Sequence, residues 1–179
     1  MIASIHQPNF FPYAGFFQKM DQCDVFVIMM HCQYERQNYQ NRFNYQGKWL
    51  TMSVNRGLEP IRDKYYIKPQ EDWDRIKRIV NEPILDEFDD CITESLVKTN
   101  VSIIRRIAAM LDIETRIVYD YDTELSGTPR LVDICNTYSA TGYLSGISGK
   151  RYLDFDKFEG IKLQYQENID TRPIIDLIK

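Results

Sequence analysis

The turn His6-Gln7-Pro8-Asn9, near the start of the chain, carries the first side chains suited to chemistry. An imidazole and two carboxamides are sensible groups for holding a phosphate, a carboxylate or a reacting carbonyl. A purely structural alternative is that His6 hydrogen-bonds the turn and Asn9 caps the helix that follows. We interpret this turn as part of a functional site.

The polar stretch from 31 to 45 is a second candidate, because it is rich in amides and tyrosines and has no helical or strand periodicity. Long irregular segments of this kind often carry binding residues. The guanidinium of Arg42 offers a fork for a carboxylate or phosphate, and neighbouring amides read hydroxyls or base edges. A solvated loop with Arg42 paired to a surface acid is the alternative. The predicted substrate contacts are Tyr39, Gln40, Asn41 and Arg42.

The third candidate is the stretch SGISGKR at 145–151. Ser145, Ser148 and Lys150 are suited to cradling an anion, with glycines that allow close backbone approach and a lysine that supplies charge. The stretch is not a P-loop, because the first glycine and the final Ser or Thr of that motif are missing. An ordinary glycine-rich turn is the alternative.

Three acids, Asp120, Asp122 and Glu124, follow a predicted strand. Their oxygens could bind a metal ion, but such residues also suit a solvated loop. We assign no metal to the predicted site.

The surrounding elements predict how these segments are placed. A strand at 2–5 delivers His6 to its turn, and Pro12 opens a helix that continues to Met20. In a parallel sheet, ligands collect at the carboxyl ends of the strands. The element order predicts an α/β fold, with a mainly parallel sheet flanked by helices and a helical middle segment that acts as a lid. Further strands are predicted at 24–30, 48–54, 115–119, 141–144 and 161–165, and helices at 73–80, 94–111, 129–138 and 173–178.

Composition restricts the class of protein. The chain has 179 residues, 44% of them hydrophobic, which favours one globular domain. Its net charge of −4 lacks the basic footprint of a DNA-binding protein. The four cysteines have no CxxC spacing, and there is neither a signal sequence nor an 18-residue apolar run. These features predict a soluble cytoplasmic protein without a membrane span.

Six spaced motifs resemble the WbqC-like protein family, whose members are found in bacterial surface-polysaccharide gene clusters. The motifs occur in the same order over nearly the whole chain, which implies one WbqC-like domain at 1–179. The chain departs from the family's usual pattern after Gln166, where a histidine-proline and aromatic segment is expected. The motifs are HQPNFFPYAGFFQKM at 6–20, CDVFVI at 23–28, YQNR at 39–42, GKWLTMSV at 47–54, PRLVDIC at 129–135 and YLSGISGKRYLD at 143–154.

The resemblance implies a transferase that attaches glycine or a similar small acyl group to an amino sugar in O-antigen or related polysaccharide biosynthesis. Its partners would be a sugar nucleotide or carrier-linked amino sugar and an activated glycine or acyl donor; the oligomeric state is left open. Amide formation needs an activated carboxyl, a base for the amine and donors for the oxyanion. Under this hypothesis His6 is the base or a phosphate contact, Asn9 and Gln7 donate hydrogen bonds, and Arg42 and Lys150 hold anionic groups.

Two alternatives stay open. The arrangement strand, His-x-Pro-Asn, helix is analogous to ATP-binding starts in nucleotidyltransferases, which suggests an amide-ligase-like enzyme that uses ATP and magnesium, although the second histidine of an HxGH motif is absent. The other alternative is a non-catalytic module that binds a nucleotide sugar or glycan.

Overall fold

The computed structural model describes residues 1–179 as an α/β protein. Five strands form one sheet in the order β5-β2-β1-β6-β7, and every neighbouring pair is parallel, which confirms the predicted fold class. The remaining two strands form a separate antiparallel hairpin. The strands are β1 (Ile2–His6), β2 (Val25–Ile28), β3 (Arg42–Tyr45), β4 (Lys48–Thr51), β5 (Arg116–Tyr119), β6 (Gly142–Ser145) and β7 (Lys162–Tyr165). The helices are α1 (Ala14–Asp21), α2 (Pro69–Val80), α3 (Leu96–Met110), α4 (Gly127–Thr137) and α5 (Ile175–Ile178).

The central strands are apolar because both faces of the sheet are covered. All four residues of β2 are buried. Phe26 and Ile28 face a core of 29 buried residues, to which α1, α2 and α3 contribute. Val25 and Val27 point the opposite way, into a core of 12 buried residues that includes the inner face of α4. The sheet therefore divides two hydrophobic layers.

The connections after β1 and β6 leave the sheet toward opposite faces. The chain after β1 packs Phe16 and Phe17 of α1 into the larger core. The chain after β6 packs Leu153 and Phe158 into the smaller core. Adjacent parallel strands whose connections diverge open a crevice at their carboxyl ends, where open α/β sheets bind ligands. In this protein that crevice lies between His6 and Ser145.

The middle of the chain is helical, as predicted, and belongs to the larger core. It consists of α2, a 3₁₀ helix at Pro83–Cys91, and α3. Trp73 of α2 and Phe88 are fully buried against the aromatic residues that follow His6. The lid function of this segment stays a prediction.

Some local structure differs from the sequence prediction. Helix α1 begins at Ala14, so Pro12 precedes the helix instead of lying in its first turn. Arg42 begins strand β3 instead of lying in a loop, because Gln46 and Gly47 have φ angles of 49° and 78° and turn the chain back onto β4. Residues 147–151 form a 3₁₀ helix instead of an open loop.

None of the helices is both long and apolar enough to cross a lipid bilayer.

Candidate functional site

A cavity of about 820 Å³ opens at the carboxyl edge of the sheet, in the crevice described above. Its walls come from the turn after β1, the segment after β2, the loop before α4 and the 3₁₀ helix after β6. The fold therefore brings the opening turn and the late serine-glycine segment to one place, although about 140 residues separate them. The predicted site residues that line this cavity are His6, Gln7, Asn9, Tyr39 and Ser148.

A smaller recess of about 150 Å³ adjoins this cavity beneath His6. His6 and Ser148 line both spaces, so the two are continuous parts of one region. The recess adds Ser145, which the sequence predicted, and Lys19, which it did not. Gly149 lets the 3₁₀ helix pack here, since a Cβ atom on it would lie 2.2 Å from Oγ of Ser145.

His6 is held in a neutral form. Its Nδ1 lies 2.9 Å from the carbonyl oxygen of Gln7, which can only accept, so Nδ1 carries the proton and Nε2 is an acceptor. The ring packs edge-on against Phe16, with centroids 4.8 Å apart. Burial and the nearby ammonium of Lys19 lower the pKa of His6 to about 3. At neutral pH this imidazole is a hydrogen-bonding group and a weak proton acceptor.

Gln7 is held by a chain of hydrogen bonds. Nε2 of the buried Gln40 donates to Oε1 of Gln7 at 2.6 Å, and Nε2 of Gln7 donates to Sγ of Cys32 at 3.3 Å. Asn100 of α3 donates to the carbonyl oxygens of Pro8 and Gln40 at 2.8 and 2.7 Å. Gln40 therefore positions Gln7 and does not line the cavity, and one asparagine ties the two predicted binding segments together.

Three other predicted residues lie outside the cavity. Asn41 is buried, where its Nδ2 donates to the Met52 carbonyl oxygen at 2.7 Å. Arg42 packs over Trp49, with 4.2 Å from its guanidinium carbon to the ring centroid. Lys150 is exposed, and its Nζ lies 5.1 Å from the ring centroid of Tyr165.

Arg42 belongs to a separate cavity of about 530 Å³, which we call the arginine pocket and define by Arg36, Arg42 and Arg56. No acidic side chain lines it, and the buried Nε of Arg42 has no hydrogen-bond partner. Alternating parts of the segment 33–42 line the arginine pocket and the large cavity, so this segment forms a wall between them.

A hydrogen-bonded group of three side chains at the large cavity, built around Asp120, was not predicted from sequence. Nδ1 of His31 lies 2.8 Å from Oδ1 of Asp120, and Arg130 donates to Oδ2 of Asp120 at 2.6 Å. The backbone amides of Met30 and His31 also donate to this carboxylate. The Asp120 side chain is fully buried, whereas 12% of the His31 side chain is exposed. His31 and Arg130 line the cavity.

This arrangement fixes the chemistry available to His31. The Asp120 carboxylate accepts from Nδ1 of His31, so Nε2 is the ring nitrogen that remains for a substrate, the arrangement used by general-base histidines. Because Asp120 already accepts from two backbone amides, an imidazole and a guanidinium, it is not available as the metal ligand that its position after β5 suggested. The sequence did contain a clue to this pair, since His31 and Asp120 each come directly after a predicted strand.

Lys19 is the second functional candidate that the sequence did not reveal. It is 4% exposed, at the side of the recess, and burial lowers its pKa to about 8. On an amphipathic helix a lysine normally marks the solvent face, so the helical pattern of α1 gave no reason to place it inside.

The fold and this crevice define a parallel α/β protein with a large cavity at the point where the strand order reverses. The WbqC-like protein family matches residues 7–173, and the chain therefore belongs to this family. It is 27% identical over 187 aligned residues to Rv1507c, an uncharacterized protein of Mycobacterium tuberculosis, with 90% of this chain and 79% of that protein covered. No solved structure matches the chain.

Proposed function

We propose that this protein is a transferase that joins a small acyl group, such as glycyl, to the amine of an amino sugar in bacterial surface-polysaccharide biosynthesis. The observation that carries the proposal is His31 at the wall of the large cavity, held by Asp120, which in turn accepts from Arg130. The polysaccharide context is part of the proposal; membership of the WbqC-like family, which matches residues 7–173, supports it through the resemblance described above.

In this proposal His31 is the general base. The attacking amine must lose a proton as its nitrogen bonds to the acyl carbon, and Nε2 of His31 accepts that proton. The leaving group departs from the acyl carbon with the electron pair of its former bond. Asp120 stabilises the imidazolium that forms, because it already accepts the Nδ1 proton at 2.8 Å.

His6 then has a different role from the base that the sequence suggested. With a pKa of about 3, its neutral imidazole would accept a proton from an amine only weakly near pH 7. It is better suited to orient the substrate through a hydrogen bond. The carboxamide of Asn9, which is 6% exposed and lines the cavity, is the proposed donor to the oxyanion of the tetrahedral intermediate.

The arginine pocket is the proposed site for the diphosphate of a sugar nucleotide or carrier lipid. Three guanidinium groups without a lining carboxylate give it the charge and the forked donors that phosphates prefer. It shares the wall 33–42 with the large cavity, and in this proposal the substrate places its diphosphate in the arginine pocket and its sugar in the large cavity.

A non-catalytic glycan-binding function is the second candidate, and two exposed aromatic residues favour it. Tyr13 and Tyr39 are 37% and 47% exposed, and both line the large cavity and a neighbouring apolar one. Flat exposed rings of this kind stack on sugars. A pure binding module would need the rings but would not need the His31–Asp120 pair.

The experiment that separates these functions is product detection by mass spectrometry. The protein is incubated with nucleotide-linked amino sugars and with glycine presented as a thioester, as glycyl-tRNA, or as free glycine with ATP and magnesium. The transferase proposal predicts an N-acylated sugar that forms with wild-type protein and not with His31→Gln. Binding of the amino sugar without any acylated product from all three donors would contradict the transferase and favour the binding module.

A further inference from the structure

Lys19 is a buried cation for which the protein supplies almost no partner. Its Nζ has one hydrogen-bond acceptor, the carbonyl oxygen of Ile5, at a long 3.5 Å. An ammonium group has three N–H donors, and lysine is almost never buried unless it is paired. The ring of Phe26, 5.7 Å away, gives a weak contact with the charge. Two donors of Lys19 are therefore available to a ligand in the recess.

The recess contains no counter-charge for this ammonium. None of its lining residues is acidic, and the side chains with polar groups are His6, Lys19, Gln166 and several hydroxyl-bearing residues. His6 is neutral, because its pKa is lowered to about 3. Cys23 lies outside the recess but close enough to affect the pKa of Lys19. Its thiol keeps its proton, because burial raises the pKa of Cys23 to about 12. The recess thus holds one positive charge without a negative partner.

We infer that the recess binds the carboxylate of a small acid, with Lys19 as its counter-ion and the hydroxyl of Ser148 as an additional donor. The inference rests on the proposed function and names its acyl substrate as the free acid, with a nucleoside triphosphate as the co-reactant that activates the carboxylate, so that a phosphate or nucleotide group leaves the acyl carbon when the amine attacks. A thioester or ester donor presents a neutral carbonyl at this position, and it would leave the ammonium unpaired.

Charge and size both favour a monoanion with few heavy atoms. One ammonium balances one carboxylate, whereas a phosphate dianion would bring an uncompensated charge into a buried site. A volume of about 150 Å³ suits a molecule of amino-acid size. For an amino acid the carboxylate would enter the recess, and its ammonium would point to the large cavity, whose lining includes Glu35 and Glu124.

Binding is tested by calorimetric titration of the purified full chain with glycine, acetate and inorganic phosphate at about pH 7. The variant is Lys19→Met, which keeps a side chain of similar length and removes the charge. The control is Lys98→Met, because that lysine is exposed on α3 and lines neither the large cavity nor the recess. We expect glycine and acetate to bind more tightly than phosphate, with affinity lowered about tenfold or more by Lys19→Met and unchanged by Lys98→Met.

A stability measurement shows whether Lys19→Met loses binding because the ligand contact is gone or because the variant misfolds. If Lys19 serves a ligand and not the fold, Lys19→Met removes an unpaired buried charge and should unfold at the same or a higher temperature than wild type. A lower unfolding temperature for both Lys19→Met and Lys19→Gln would indicate a structural lysine and overturn the inference. Tighter binding of phosphate than of acetate, or equal binding by wild type and Lys19→Met, would also overturn it.

The outcome is distinguishable from failure of the proposed function. His31→Gln should bind glycine as the wild type does, because His31 does not line the recess. Retained carboxylate binding with no acylated product from any donor would contradict the transferase and leave the recess assignment standing. Acyl transfer that proceeds from a thioester but without any carboxylate binding would overturn the recess assignment alone.

Discussion

Nδ1 of His31 lies 2.8 Å from Oδ1 of Asp120, although 89 positions separate the two residues in the chain. They meet because His31 follows β2, Asp120 follows β5, and these strands are parallel neighbours whose carboxyl ends share one edge. The backbone amide of Asp120 donates to the carbonyl oxygen of Ile28 at 3.0 Å, which fixes this register. The pair is thus a direct product of sheet topology.

Asp120→Asn tests this pair. The substitution removes the negative charge that orients His31 and that balances the buried guanidinium of Arg130. We expect acyl transfer to fall by about 100-fold or more, and the free energy of unfolding to fall by about 3–5 kcal/mol because a charge is left unpaired in the interior. Urea unfolding and initial rates measure the two effects. The matched control is Asp122→Asn, since that side chain is 73% exposed and should change either quantity little.

His6→Asn tests the neutral state of His6 through the pH dependence of stability. The unfolded chain binds a proton on this imidazole below its ordinary pKa of 6.5, whereas the folded protein does so only near pKa 3. The unfolded state therefore binds more protons between these values, and the free energy of unfolding falls as the pH is lowered through this range.

His6 is expected to contribute at most about 1.4 kcal/mol per pH unit to the change in the free energy of unfolding with pH. Urea unfolding at about pH 6, 5 and 4 should show that the free energy of unfolding falls less steeply on acidification for His6→Asn than for wild type. The same slope in both proteins would mean that His6 titrates normally in the folded state, and it would then return as a candidate base.

Asn100→Ala tests the connection between the opening turn and the polar segment. This buried side chain donates to the carbonyl oxygens of Pro8 and Gln40 and accepts a hydrogen bond from Tyr66 at 2.8 Å. Its loss leaves buried polar groups unsatisfied, so we expect destabilisation of about 2–4 kcal/mol together with weaker substrate binding. Thermal unfolding and titration report the two effects. Ser102→Ala, on the exposed side of the same helix, is the control and should behave as the wild type.

The sequence was informative wherever a local pattern determines structure. The apolar runs at β1 and β2 and the spacing in α3 predict the observed elements, and the glycine-rich stretch after β6 does lie beside His6. Arg42 shows the limit of this approach, because its polar neighbours resemble a loop while a two-residue turn at Gln46 and Gly47 pairs it with β4. Side-chain direction within a correctly located segment, as for Lys150, is decided by tertiary packing and not by residue type.

Tertiary proximity accounts for the residues that the sequence did not reveal. His31 and Asp120 are unremarkable as a loop histidine and a loop acid until the order β5-β2-β1 is known. Lys19 looks like a solvent-facing residue of α1, and only the path of the chain after β6 encloses it. Polar residues that break the expected burial pattern are typical of functional sites, and here the His31–Asp120 pair and Lys19 lie at the same crevice.

The most direct test of the account is the initial rate of amide formation by the wild-type protein and by His31→Gln, measured with the same amino sugar and the same acyl donor. Asp122→Asn, a change at an exposed side chain outside the large cavity, serves as the matched control. The account predicts a wild-type rate that falls about 100-fold or more in His31→Gln and stays close to wild type in the control. A His31→Gln rate within about threefold of wild type, in a protein that unfolds at the wild-type temperature, would contradict it.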